Sequence, residues 1–433
     1  VAVRPHTPAV AEVHHAIPAP LADPPPSAGV RVDHVDGLAQ PEAYLEGLRR
    51  RIGDHRWLLV EKILAPGETL APSWPVDGTT GYEHIRVSEH TFLDPAAEAP
   101  LDQLWTELTG DSRDFLAVED EARREVLDGG LRPDLDRLVR LVVDDVGDDG
   151  EPFGVDVLRD ALIELTIGVH RYRTYLPDDL ASAVELDDAH ERAVAARPDL
   201  VDAIDRAVGM IRSRPAVAVR WEQLTSPTMA KGAEDRAFYR YLRCPSLCEV
   251  GGAPGEFATS VDAFHQHQRE VQALMPTTML AGTTHDTKRS EGVRARSLAL
   301  AEIADDWASV VRRWMAEHDD HGIDAATVLL ALHTAVTAWP ITADRMSEYL
   351  VKSARESDLR TSWTATVEAY ESGLGALAAD LEVELGLDPD DPALGAIVNR
   401  TLRQGWATSL ALLAVRLTSP GVPDLYQGTV SFT

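Results

Sequence analysis

The chain has 433 residues, 44% of them hydrophobic, which is too apolar for a disordered segment and enough for one large or two ordinary domains. It carries 71 acidic against 41 basic residues, a net charge of −30. That balance argues against a nucleic acid or an anionic membrane as partner, since both are polyanions, and is compatible with a neutral ligand such as a sugar.

Residues 1–28 are dense in proline, end in Pro24-Pro25-Pro26 and keep no regular hydrophobic period, so an irregular leader is predicted there. His14-His15 has no further ligand nearby and predicts no metal site. Gly29-Val-Arg-Val-Asp33 reads as a short strand, 41–51 as a helix opened by Pro41, and Trp57–Val60 as a buried strand running into Glu61. Residues 67–81 read as a loop rich in Gly, Pro and Thr. Helical spacing dominates from about 88 to 165 and again over 184–213. The run ALIELTIGV at 161–169 reads as a buried strand or part of a helix, and its length and β-branched residues favour the strand. TTMLAGTT at 277–284 reads as a further strand entering His285-Asp286, and 292–417 as mostly amphipathic helix. A Pro/Gly-broken loop with a short strand follows at 419–428. Strands alternating with helices predict an α/β fold with parallel strands.

Cys244 and Cys248 stand four apart with no other soft ligand in reach and read as ordinary thiols. No apolar run reaches the roughly 18–20 residues that cross a bilayer, and the first residues lack a basic-then-apolar signal pattern, so the expected compartment is the cytoplasm. Only Lys62, Lys231, Lys288 and Lys352 are lysines among the 41 basic residues, which makes each of them worth inspecting.

Three predicted strands run into carboxylates: Asp33, Glu61 and Asp286. Catalytic groups of (β/α)8 barrels sit at such strand ends. Alternation puts Arg31 on the same face as Asp33, where a fixed guanidinium favours an ionised carboxylate suited to nucleophilic attack. The plainer reading is an ion pair at a strand end. Glu61 behind an apolar strand suits a general acid, or is an exposed glutamate at a loop start. The segment 282–291 packs an imidazole, two acids and two bases into ten residues, a density that favours function. Together the acids fit retaining glycosidic chemistry, with a nucleophile and an acid/base about 5–5.5 Å apart. Trp74, Tyr82, Tyr239, Tyr241 and Tyr426 are candidates for stacking on sugar faces or for packing.

GVRVDH and THD resemble the fourth- and seventh-strand motifs of glycoside hydrolase family 13, and Glu61 falls where that family carries its fifth-strand acid/base. VDHVDGL, VEKILAPGETL, WPVDGTTGY, RYRTY, MAKGAEDRAFYRY, CEVGGAP, THDTKRSEGVRAR and PGVPDLYQGT, in that order over 29–429, resemble the maltooligosyltrehalose synthases within it. The resemblance implies part of a (β/α)8 TIM barrel, strands four to eight, spanning 29–433 with helical insertions at about 88–160 and 292–410. It implies an isomerase that turns the reducing-end α-1,4 linkage of a maltooligosaccharide into an α,α-1,1 linkage. Asp33 would be nucleophile, Glu61 acid/base and Asp286 the transition-state acid. Arg31, His34, His285, Lys231, Arg289, Glu291, Tyr82 and Tyr426 would bind substrate. No metal or organic cofactor is implied, and a maltooligosyltrehalose trehalohydrolase is the implied pathway partner.

The family's third-strand Asp-x-x-x-Asn-His is absent from residues 1–28, the family's usual continuation after Gln427-Gly-Thr429 is not seen, and Gly292 stands where Asp is usual. The expectation is a truncated chain of weak or no activity. The alternatives are an isomerase completed by another chain, a hydrolase or transglucosidase of the same family, and a sugar-binding remnant.

Overall fold

A computed structural model describes residues 29–144, 153–176, 179–387 and 394–428, so the predicted leader at 1–28 lies outside the described residues. The chain divides into two compact units. As far as they are described, one holds residues 29–80, 119–233 and 274–279, and the other 81–118, 234–273 and 280–428. Both are mostly helical with few strands.

The first unit carries a parallel three-stranded sheet of β1 (Gly29–Val32), β2 (Trp57–Val60) and β3 (Gly78–Thr79). β1 is the short run Gly-Val-Arg-Val and β2 the run Trp-Leu-Leu-Val, both too short for a helix and carrying residues that favour extended backbone. The helix Pro41–Ile52 crosses between them. Pro41 opens it, Gly53 with φ 83° ends it, and Leu45, Leu48 and Ile52 recur at helical spacing to cover Val32, Leu58, Val60 and Trp74. The register pairs Val32 with Val60. The Glu61 amide then donates to the Val32 carbonyl at 2.8 Å and extends the ladder by one residue. The residues that follow, Asp33 and Glu61, therefore leave neighbouring strands at the same level.

β3 lies inside the stretch expected to be loop. Gly78 makes it possible, because a Cβ there would come within 2.4 Å of the backbone of Thr278, whose Oγ1 accepts the amide of Thr79 at 2.9 Å. Gly78→Ala is expected to cost about 1–3 kcal/mol by overpacking, read as a lower midpoint in urea unfolding with an unchanged slope.

The strand expected at 161–169 is instead the helix Val155–Ile167. Leu158, Leu162 and Leu165 keep helical spacing, and a helical cluster that includes Leu138, Ile211 and Trp221 covers them on every side. Burial all round removes the polar stripe that marks an amphipathic helix and leaves a uniformly apolar run that mimics a strand.

The second unit is built on helices between Tyr82 and Thr418, with a core that includes Trp307, Val328, Leu332, Leu350, Leu377 and Ile397. Among the described residues its 291–418 stretch holds six helices, as the periodicity predicts. The strand expected over 277–284 shrinks to Met279–Leu280, in a two-stranded sheet with Val422–Pro423. Beyond it the hydroxyl of Thr284 takes the amides of Asp286 and Thr287, which turns the chain out of extended geometry. Cys244 and Cys248 are buried free thiols.

Candidate active site

In the first unit the sheet presents its carboxyl end with Asp33 and Glu61 side by side. Arg31 points to the same face as Asp33, as alternation requires, and its Nη2 donates to Asp33 Oδ1 at 2.7 Å and to Glu61 Oε1 at 3.0 Å. One nitrogen touching both carboxylates keeps these two oxygens no farther apart than the sum of those distances. That admits the roughly 5–5.5 Å spacing of a retaining pair. The guanidinium also offsets the mutual repulsion of the acids. Asp33 is open to solvent, its side chain 70% exposed, whereas Glu61 is at 17%. His34 adopts a left-handed backbone, φ 45° and ψ 53°, which turns its amide onto Glu61 Oε2 at 2.6 Å. Such geometry in a residue other than glycine costs energy and clusters at functional sites.

Below these acids lies a buried polar network. Lys62 reaches Asp36 at 3.3 Å and Glu68 at 2.9 Å. Burial opposes its charge, but the two carboxylates outweigh burial and hold the ammonium above its ordinary value. Tyr175 donates its hydroxyl to Asp36, and burial first, then Asp36, push that hydroxyl well up. Arg173 pairs with Glu222 at 3.1 Å and donates to the Asp36 carbonyl at 2.7 Å. Gln223 donates to the Gly37 carbonyl at 2.9 Å. Lys231 is exposed on a π-helical turn, Met229–Glu234, that follows a helix containing Pro227.

In the second unit Tyr82, His285 and Asp286 come together. The buried Tyr82 hydroxyl lies 3.1 Å from Thr284 Oγ1 and donates to Asp286 Oδ2 at 3.3 Å, while His285 Nε2 lies 3.0 Å from the same oxygen. Arg289 is buried and held by Glu249 at 3.1 Å, the Tyr349 hydroxyl at 2.8 Å and the Pro245 carbonyl at 3.0 Å. Glu291 is buried on Arg416 at 2.7 Å. Lys288 packs its ammonium 4.4 Å from the Tyr239 ring centre, and burial lowers it below its ordinary value. Tyr426 is half-buried in a short 3-10 turn, where its hydroxyl accepts from Gln427 at 3.3 Å. Arg289 and Glu291 thus stand inside ion pairs that brace the turn, a placement that residue type alone does not reveal. Of the bracing residues, Asp36, Glu68, Arg173 and Glu249 sit in the motifs quoted above and Glu222 outside them, and nothing in their spacing announces the pairs.

Among the described residues no group of three or more His, Cys, Asp and Glu side chains is arranged to hold a metal, and no helix is long and apolar enough to cross a membrane.

Paired carboxylates at the carboxyl ends of adjacent parallel strands are an arrangement that glycosidic-bond chemistry can use. No family model matches the chain. It is similar, over nearly its whole length, to maltooligosyltrehalose synthases. A putative maltooligosyl trehalose synthase of Mycobacterium tuberculosis is 33% identical over 411 residues, 93% of this chain and 52% of the relative. The structure of maltooligosyltrehalose synthase from Arthrobacter ramosus superposes with a TM-score of 0.88 at 35% identity, covering 99% of this chain and 54% of that one. The glycosyltrehalose synthase DSM5389 gives a TM-score of 0.83 at 27% identity, covering 100% and 54%. The chain spans about half the length of the relatives it matches.

Proposed function

We propose that the protein is an isomerase acting by intramolecular transglycosylation on the reducing end of a maltooligosaccharide. The observation that carries this is Arg31 bridging Asp33 and Glu61 at the ends of strands in register. Asp33 attacks the anomeric carbon of the glucosyl unit next to the reducing end, and Glu61 protonates the leaving O4. The freed glucose stays bound and turns. Glu61 then takes the proton from its anomeric hydroxyl, whose oxygen attacks the glycosyl–Asp33 ester and forms an α,α-1,1 linkage. Asp286 stabilises the positive charge that develops on the sugar. Tyr82 and His285 steady its carboxylate, and His34 and Arg31 hold the first pair. Lys231 and Tyr426 contact sugar, while Arg289 and Glu291 act by fixing the turn that carries His285 and Asp286. Residues 29–433 belong in this reading to strands four to eight of a glycoside hydrolase family 13 barrel. The protein works in the cytoplasm without metal or organic cofactor, and its product passes to a maltooligosyltrehalose trehalohydrolase.

Incubating pure protein with maltopentaose at neutral pH tests this. The expected result is loss of reducing ends without release of glucose. Glucose release with no non-reducing product would assign a hydrolase instead, and binding without turnover a sugar-binding remnant.

A further inference from the structure

We infer that Lys62 is a positioning residue for the Asp33–Glu61 pair, an inference that rests on the reading of those two acids as the reacting carboxylates. Lys62 directly follows Glu61 but turns away from it into the interior, where its side chain is only 2% exposed. Its Nζ stands 3.3 Å from Asp36 Oδ2, 2.9 Å from Glu68 Oε1 and 3.2 Å from the Ile63 carbonyl. An ammonium has three donors, and here three acceptors receive them. A flat guanidinium with five donors does not match that set, which accounts for one of the four lysines in a chain whose basic residues are mostly arginine.

The two carboxylates belong to different turns. Asp36 lies in the 3-10 turn Val35–Gly37, just after Asp33 and His34. Glu68 closes the loop that begins at Glu61, and its Oε2 accepts the amide of Ala65 at 2.9 Å. One buried cation therefore ties the turn that carries Asp33 to the loop that carries Glu61. Tyr175 and Arg173 clamp the Asp36 side from below, and the rings of Tyr172 and Tyr175 flank the ammonium at 5.8 and 5.9 Å. Asp36 and Glu68 are themselves buried, at 5% and 4%, so none of the three charged groups is placed to touch a substrate. Without the ammonium, two buried carboxylates would face each other uncompensated, and the turns would part.

The contact that reports this directly is the hydrogen bond from the His34 amide to Glu61 Oε2, which crosses from one turn to the other. In Lys62→Met the His34 amide is expected to exchange with solvent at least about tenfold faster, while the amides of Leu45 and Leu48 in the neighbouring helix stay as protected as before. The kcat for maltopentaose is expected to fall by at least about tenfold with little change in KM. The double variant Lys62→Met/Glu68→Leu removes most of the repulsion and is expected to regain thermal stability without regaining His34 protection or kcat. Unchanged His34 exchange in folded Lys62→Met, or full kcat in the double variant, would overturn the inference. Should the unaltered protein form no product, the isomerase reading fails on that result alone, and His34 exchange still decides the role of Lys62.

Discussion

Asp33→Asn is expected to lower turnover of maltopentaose by about a thousandfold or more while leaving the thermal midpoint in place. The substitution keeps the shape of the side chain and the oxygen that accepts from Arg31, but removes the charge that must attack the anomeric carbon. Stability is spared because the Asp33 side chain is 70% exposed, and surface changes of this kind stay within about 0.5 kcal/mol. A variant that kept a tenth of the activity would remove Asp33 from the nucleophile's role.

Glu61→Gln carries the complementary signature. Its loss should be as large on maltopentaose, where O4 needs a proton to leave, and much smaller on a maltosyl fluoride, whose leaving group needs none. That contrast separates an acid from a nucleophile at two positions that share one guanidinium. Both variants leave Arg31 with a partner, so neither exposes an unpaired buried charge.

The carboxyl ends of β1 and β2 were legible in the sequence because each signal was local. Alternation over five residues placed Arg31 and Asp33 on one face, and an apolar run delivered Glu61 to the end of a strand. The turn at 284–287 was legible in its residues but not in its shape, because a threonine side chain bonding to backbone two and three residues on ends a strand that hydropathy alone extends. Pairs such as Lys62 with Asp36, Arg173 with Glu222 and Arg289 with Glu249 were not legible. Their partners are 26, 49 and 40 residues apart in sequence, and an acidic chain offers each cation many candidates. The helix at 155–167 imitates a strand in its sequence for a related reason: tertiary packing around residues 161–167 leaves it no polar face.

Acid is expected to destabilise the second unit through histidines that folding keeps neutral. Burial pushes His84 and His333 down to about 3 and His90 down to about 4, against an ordinary value near 6.5. A folded-state pKa below the unfolded one means that the unfolded chain takes up the proton first as pH falls. Stability from these groups is therefore complete above about pH 6.5. It declines below that by about 1.4 kcal/mol per pH unit for each histidine, until the folded form also protonates. Glu89 works against this: burial pushes it up to about 7 although Arg294 pulls it down, so between about pH 7 and 4.5 the folded state takes up that proton first. The net acid slope is thus a difference, and a single-site comparison isolates one contribution. His333 suits it, since it is buried, its Nε2 meets Ser297 Oγ at 2.8 Å, and its Nδ1 has no hydrogen-bond partner among the described residues. His333→Gln keeps a group able to reach Ser297 and abolishes the titration. Relative to the unaltered protein it is expected to gain about 3 kcal/mol between pH 6.5 and pH 4, read as urea midpoints at each pH. Parallel stability curves for the two proteins over that window would show that the imidazole of His333 is not held neutral by the fold.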